Sequence, residues 1–280
     1  MFESVLVPSL TSVCNEAAMA LAAKVAERIA FLHVHPDARE LARYTATVDA
    51  QSSAFTGQIW DAMVAGDKEC AQRSRAIFDA FCAGGGLAKA SAAFREMEGN
   101  NVECTIDEAR YHDLVVMGRP ALPQDLTTDG TSDVLADSGR PLLLAPSVAS
   151  SNPLSTVVIA WKPGAPAART VAAAMPLLVA AEKIHVLGIA EDRSDEDEVL
   201  GAAERLATYL RSHGLKPQAG HVRAGDRNAA EVLLEAADQK LKAGVLVMGG
   251  YGHSRTREFV FGGFTRRVLH SAPLPVFMCH

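Results

Sequence analysis

No apolar run in this chain approaches the roughly 18 residues that a membrane-spanning helix needs, although 49% of its 280 residues are hydrophobic. A soluble protein with a sizeable core is expected. Cysteine is sparse and unpatterned: Cys14, Cys70, Cys82, Cys104 and Cys279 are odd in number and contain no C-x-x-C pair. This argues against a disulfide framework and a four-thiolate zinc site, and predicts reduced, mostly buried thiols. Basic charge is also short, with 27 Lys and Arg against 33 Asp and Glu and a net charge of −6. Without a broad positive field, neither nucleic acid nor a membrane surface is an expected partner. The first residues, MFESVLVPSL, lack a charged start and a small-residue cleavage site and read as a first strand, so a cytoplasmic location is expected. Nucleophile-elbow chemistry finds no G-x-S-x-G, since the GHS at 252–254 has no closing glycine.

What the chain does have is self-similarity. HDLVVMG (112–118) and later SDVLADSGRPLLLAP (132–146) parallel AGVLVMGG (243–250) and TRRVLHSAPLPVFMCH (265–280). SVLVPSLTSVCNEAAMALAAKVA (4–26) likewise parallels STVVIAWKPGAPAARTVAAAMPLLVAA (155–181). The repeat predicts two domains, 1–147 and 154–280, joined at SVASSNPLS (147–155). In the second, strands are read at about 155–161, 183–190, 217–223, 244–248 and 275–279. Helices are read between them near 166–181, 195–213, 227–242 and 263–271. Short continuous apolar strands alternating with helix-length segments imply an α/β fold, with two open, parallel, Rossmann-like sheets covered by helices on both faces. The first half follows the same plan, with a longer polar stretch at about 36–80 read as one or two helices.

MGGYGHSRTREFVFGGFT (248–265) places five glycines around a nine-residue spacer directly after a strand. Glycine lets backbone N–H groups approach a ligand, and the unpaired N–H groups opening the helical FTRRVLHS favour an anion. Gly249, Gly252, Gly262, Gly263, Phe264 and Thr265 are the candidate cradle, with His253, Arg255 and Arg266 adding donors or charge. The alternative is that these glycines only shape a turn.

The segment resembles the universal stress protein family, whose nucleotide-binding members carry G-x2-G-x9-G-[ST] after the fourth strand. Gly249, Gly252 and Gly262 keep the spacing, and Gly263 stands where Ser or Thr is usual. The resemblance covers nearly the whole chain as a tandem member. It implies a five-stranded α/β fold binding ATP or a related adenine nucleotide, with the two halves packing like a dimer and a further homodimer left open. The Asp that commonly follows the family's first strand is replaced by Lys162 in the second half and Leu10 in the first. In the first half Gly118 remains, Ala121 replaces the second glycine, and phosphate binding is expected to be lost.

Trp161 either fills core or stacks on a flat ligand beside Lys162. Asp226 or Asn228 is expected to cap the helix after Gly225. The acidic run Asp192, Asp195, Glu196, Asp197 and Glu198 reads as a solvated helix start. His33 and His35 would suit a metal, yet no third ligand with convincing spacing follows, and Cys279-His280 is a weak signal. No metal site and no catalytic residue are assigned. The expected function is regulatory nucleotide binding in the second half, with slow ATP hydrolysis allowed. The alternatives are a protein-interaction scaffold of the same fold and a nucleotide-dependent transferase.

Overall fold

Runs such as VLVP, LVVM, VVIA and VLVM are apolar on both faces, and in a computed structural model of the chain they form the central strands of a sheet buried on both sides. The structure describes residues 1–9, 16–37, 53–86, 90–119, 130–147, 151–250 and 263–280. The first half comprises β1 (Phe2–Pro8), α1 (Glu16–Val25), β2 (Ala26–His35), α2 (Ser53–Ala83), β3 (Ser91–Glu98), α3 (Asn101–Ala109), β4 (Leu114–Gly118), α4 (Thr131–Asp137) and β5 (Leu142–Ala145). The second comprises β6 (Thr156–Ala160), α5 (Ala165–Ala173), α6 (Met175–Ala180), β7 (Lys183–Ala190), α7 (Glu196–Ser212), β8 (Pro217–Arg223), α8 (Ala229–Leu234), β9 (Val245–Gly249), α9 (Gly263–Ser271) and β10 (Val276–Cys279). The final turn of α8 widens into a π segment, Glu235–Lys240.

All ten strands form one sheet, in the order β3-β2-β1-β4-β5-β10-β9-β6-β7-β8. Within each half every pairing is parallel, and the order 3-2-1-4-5 is repeated. The halves meet where β5 and β10 pair antiparallel, with Leu144, Leu143 and Leu142 opposite Val276, Phe277 and Met278. Alternation along the strands sends Val5, Phe31, Val157, Val247 and Phe277 to one face, where they pack with α1, α2, α5, α6 and α7. Leu6, Leu32, Val158, Leu246 and Met278 go to the other face, with α4, α8 and α9.

Contacts beyond the junction tie the halves further. The Phe2 and Phe277 rings stack with centroids 6.2 Å apart. The Arg119 guanidinium donates from the end of β4 to the Ala272 carbonyl just past α9. The joint is held by Asn152, whose Nδ2 donates to Asp238 Oδ1 at 2.9 Å and to the Ala243 carbonyl at 3.1 Å. The outer strands are the least buried, and β3 carries Arg95, Glu96 and Glu98 on its length, charges that discourage edge-to-edge pairing. Cys70, Cys82, Cys104 and Cys279 are half-buried and in no disulfide among the described residues. The expectation of mostly buried thiols is thus corrected: three of them lie on helices that cover the sheet, and Cys279 ends the last strand.

Phe277 is fully buried at the junction. Phe277→Ala should destabilise the chain by about 3–5 kcal/mol, read from the urea midpoint.

His112 is also buried, its Nδ1 2.7 Å from Ser4 Oγ and its Nε2 3.4 Å from Glu108 Oε1, with Arg95 and Asp113 also acting on it. Burial lowers its pKa below the ordinary 6.5. Between the folded and unfolded pKa values the unfolded chain binds more protons, so stability is full above pH 6.5 and falls as pH drops below it. Urea unfolding on either side of pH 6.5 should show this loss, and His112→Gln should shrink it, leaving the share of other buried histidines such as His185, whose pKa burial also lowers.

Candidate functional site

In an open parallel sheet the strand order reverses at one point, and the chain leaves the two flanking strands towards opposite faces. This opens a crevice beyond their carboxyl ends. In the second half the flanking strands are β6 and β9, paired from Val157↔Val245 to Ala160↔Met248. After β6 the chain runs through Trp161 and Lys162 into α5, and after β9 it runs through Gly249 and Gly250 towards α9.

Gly249 ends β9 where α5 presses against it. A Cβ there would lie 2.7 Å from the Ala167 nitrogen and 2.8 Å from its Cα, so only glycine fits without moving backbone. Gly250 is buried, and its N–H donates to the Cys279 carbonyl at 3.1 Å. α5 has no side-chain cap at its N-terminus among the described residues; Gly164 occupies the cap position in extended conformation. Of its first residues Pro166 has no N–H and the Ala168 N–H donates to the Gly164 carbonyl at 3.0 Å. The N–H groups of Ala165 and Ala167 are therefore those without an intrahelical partner, the Ala167 nitrogen packing against Gly249. Gly263 opens α9 with nothing among the described residues within 4 Å of where a Cβ would stand. Phe264 packs against the core of that face, and Thr265 is buried in the first turn. Gly252, His253, Arg255 and Gly262 lie outside the described residues, and so do Leu10 and Ala121 of the first half.

Trp161 and Lys162 part company. Lys162 is exposed. The Trp161 backbone N–H donates to the Leu187 carbonyl at 2.8 Å, and the residue lines a cavity of about 370 Å³ with Pro163, Ala168, Val171, Ala202, Arg205, Leu206 and Tyr209. That groove lies between α5 and α7, on the sheet face opposite Phe264. Trp161 is partly buried, packed against the core of that face.

The equivalent corner of the first half is built differently. Gly118 matches Gly249, and Arg119 stands where Gly250 lies in the second half. The Arg119 backbone N–H donates to the Ala145 carbonyl at 3.1 Å, repeating the contact Gly250 makes with Cys279. Its side chain turns into the contact between halves, and burial lowers the guanidinium pKa to about 10. The loop after β8 gives a plainer result. Gly225 turns at φ +56°, and Asn228 Oδ1 accepts from the N–H groups of Ala230 at 3.0 Å and Glu231 at 3.4 Å, capping α8. At the acidic run, Asp192 Oδ1 accepts from the Ser194 N–H at 2.7 Å and its hydroxyl at 2.6 Å just before α7. Sequence spacing missed one group: α2 carries Asp67 to His33 and His35, a third candidate ligand hidden because a long stretch of chain separates it from the strand.

Against this geometry, residues 156–280 match the Universal stress protein family. No curated protein matches the chain. A solved universal stress protein from Archaeoglobus fulgidus superposes with a TM-score of 0.63 at 17% identity, covering 99% of this chain and 95% of that one. A functionally unknown protein from Pseudomonas aeruginosa PAO1 superposes with a TM-score of 0.53 at 14% identity, covering 99% and 92%. The second half thus lies in a family-matched segment, and the whole chain shares the fold of these two proteins, an α/β architecture of two Rossmann-like halves. Among the described residues no helix is long and apolar enough to cross a membrane.

The two glycines flanking the crevice should respond differently to substitution. Gly249→Ala drives a Cβ into the Ala167 backbone and should cost about 1–3 kcal/mol. Gly263→Ser meets none of the described residues and should stay within about 0.5 kcal/mol of the parent. Paired thermal melts of the two variants check this.

Proposed function

We propose that the chain is a tandem universal stress protein, with domains 1–147 and 154–280, whose second domain binds ATP or a related adenine nucleotide beyond the carboxyl ends of β6 and β9. It acts as a regulatory module rather than a fast catalyst. The observation that carries this reading is the switch point between β6 and β9. It brings the uncapped start of α5, the close-packed Gly249 and the buried Gly250 together, inside the segment that matches the family. Free helix N–H groups and the positive ends of helix dipoles are suited to phosphate oxygens. Gly252, His253, Gly262, Gly263, Phe264 and Thr265 complete the cradle in this reading, and exposed Lys162 offers a cation to the same anion. The first domain does not share the role, because Ala121 replaces the second glycine of the motif and Arg119, at the position matching Gly250, is committed to the Ala272 carbonyl.

A second reading, an interaction scaffold without nucleotide, draws on two observations. Trp161 faces the groove between α5 and α7, and Lys162 stands where the family's adenosine-binding Asp would be. Isothermal titration separates the readings. ATP should bind the purified chain at one site, and a Gly252→Asp, Gly262→Asp double variant that keeps the parent's circular dichroism should not bind it. A folded parent that gives no binding heat with ATP, AMP or inorganic polyphosphate would leave the scaffold reading in possession.

A further inference from the structure

The first half holds a second constellation, remote from the crevice and unused by the nucleotide reading. His33 and His35 stand two residues apart at the carboxyl end of β2, so both side chains project from the same face of the sheet. That face is covered by α2, whose Phe78 ring lies 6.2 Å from Phe31. The same helix places Asp67 over the histidine pair. Its Oδ2 is 2.6 Å from His35 Nδ1, and its Oδ1 is 3.5 Å from His33 Nε2. One ligand atom from each of the three residues lies within 4.8 Å of the others.

His33 is what sets the cluster apart from an ordinary ion pair. The ring is 3% exposed, yet neither of its nitrogens has a hydrogen-bond partner among the described residues. The 3.5 Å approach to Asp67 is longer than a good N–H···O bond. A buried imidazole with both nitrogens unsatisfied is costly unless something else meets it.

We infer that His33, His35 and Asp67 form a binding site for a divalent first-row transition ion, with zinc the expected occupant. Two imidazoles and one carboxylate suit that class, whereas calcium and magnesium favour all-oxygen shells. Donors around a tetrahedral zinc lie roughly 3.4 Å apart, as bond lengths of about 2.0–2.1 Å require, so the three atoms close on an ion through small side-chain rotations. Asp67 would give up its short contact with His35 Nδ1 and bind the ion between them. Glu96 on β3 completes the second layer: its Oε1 is 3.6 Å from His35 Nε2, the nitrogen left over when Nδ1 ligates. A carboxylate in that place fixes the tautomer and the ring orientation. Three protein ligands leave a fourth position for water or an incoming group, and the partly exposed sides of His35 and Asp67 leave that position reachable from solvent.

The test uses the full chain after chelator treatment. Cobalt(II) should bring up visible d–d bands that saturate at one equivalent, and zinc should abolish them. The bands should be lost in a His33→Gln, His35→Gln double variant, and Glu96→Gln should weaken binding by roughly tenfold or more. In the parent labelled with ¹⁵N-histidine, zinc should shift the His33 Nε2 and His35 Nδ1 ring signals. That readout decides the matter even if the double variant does not fold. Absence of cobalt bands, bands that persist in the folded double variant, or zinc-induced shifts confined to other histidines would overturn the assignment.

Discussion

The antiparallel pairing of β5 with β10 is the contact on which the arrangement of the molecule depends. Each half alone would end in a short, wholly apolar strand, LLLA on one side and VFMC on the other, with backbone groups exposed along its edge. Such an edge invites pairing with another chain. Joining the two edges satisfies both backbones at once, and buries Phe277, Leu143 and their neighbours in cores that run without interruption across the junction. Two units linked by a short joint thereby become one sheet of ten strands.

The same contact explains why the two halves differ at corresponding corners. The loops after β4 and β9 both leave the sheet beside the junction, and both hydrogen-bond to the end of the neighbouring strand, through Arg119 to Ala145 and Gly250 to Cys279. In the second half the described part of the corner is glycine backbone, Gly249 packed against Ala167 and Gly250 beside Met278 and Leu135. In the first, a long cationic side chain fills the space and spans to Ala272. A guanidinium withdrawn from water is costly unless it is hydrogen-bonded, and its carbonyl partner in the opposite half makes the corner part of the fastening. The first repeat therefore uses its corner for cohesion between the halves through a side chain that the second repeat lacks at the matching position.

Much of the fold was legible because fully buried parallel strands write themselves as continuous apolar runs. The five strands of the second half begin and end within about one residue of where VVIA, IHVLGIA and VLVM place them, as expected when both faces are covered. Of the stretch at about 36–80 read as one or two helices, the described part forms α2, Ser53–Ala83, which runs past 80 because its mixed polar sequence carries no sharp stop before the glycines at 84–86; residues 38–52 lie outside the described residues. The candidate site was less legible. Local signals, such as Asn228 capping α8 or the glycines after β9, depend on neighbours in sequence and could be read. The face that Trp161 occupies, the reach of Arg119 to Ala272 and the approach of Asp67 to His33 depend on which elements the topology stacks together. No spacing rule connects residues so far apart along the chain.

Antiparallel joining of two internally parallel blocks also gives the molecule a direction. The strands of the first half advance one way across the junction and those of the second advance the other way, so their carboxyl ends, where loops and chemistry gather, point apart. The histidine pair ends β2 in one block, and the glycine corner ends β9 in the other. Whatever occupies one end is screened from the other by the width of the sheet. The two sites proposed above therefore lie at opposite strand-end edges of one sheet, and any influence of one on the other must travel through the shared strands.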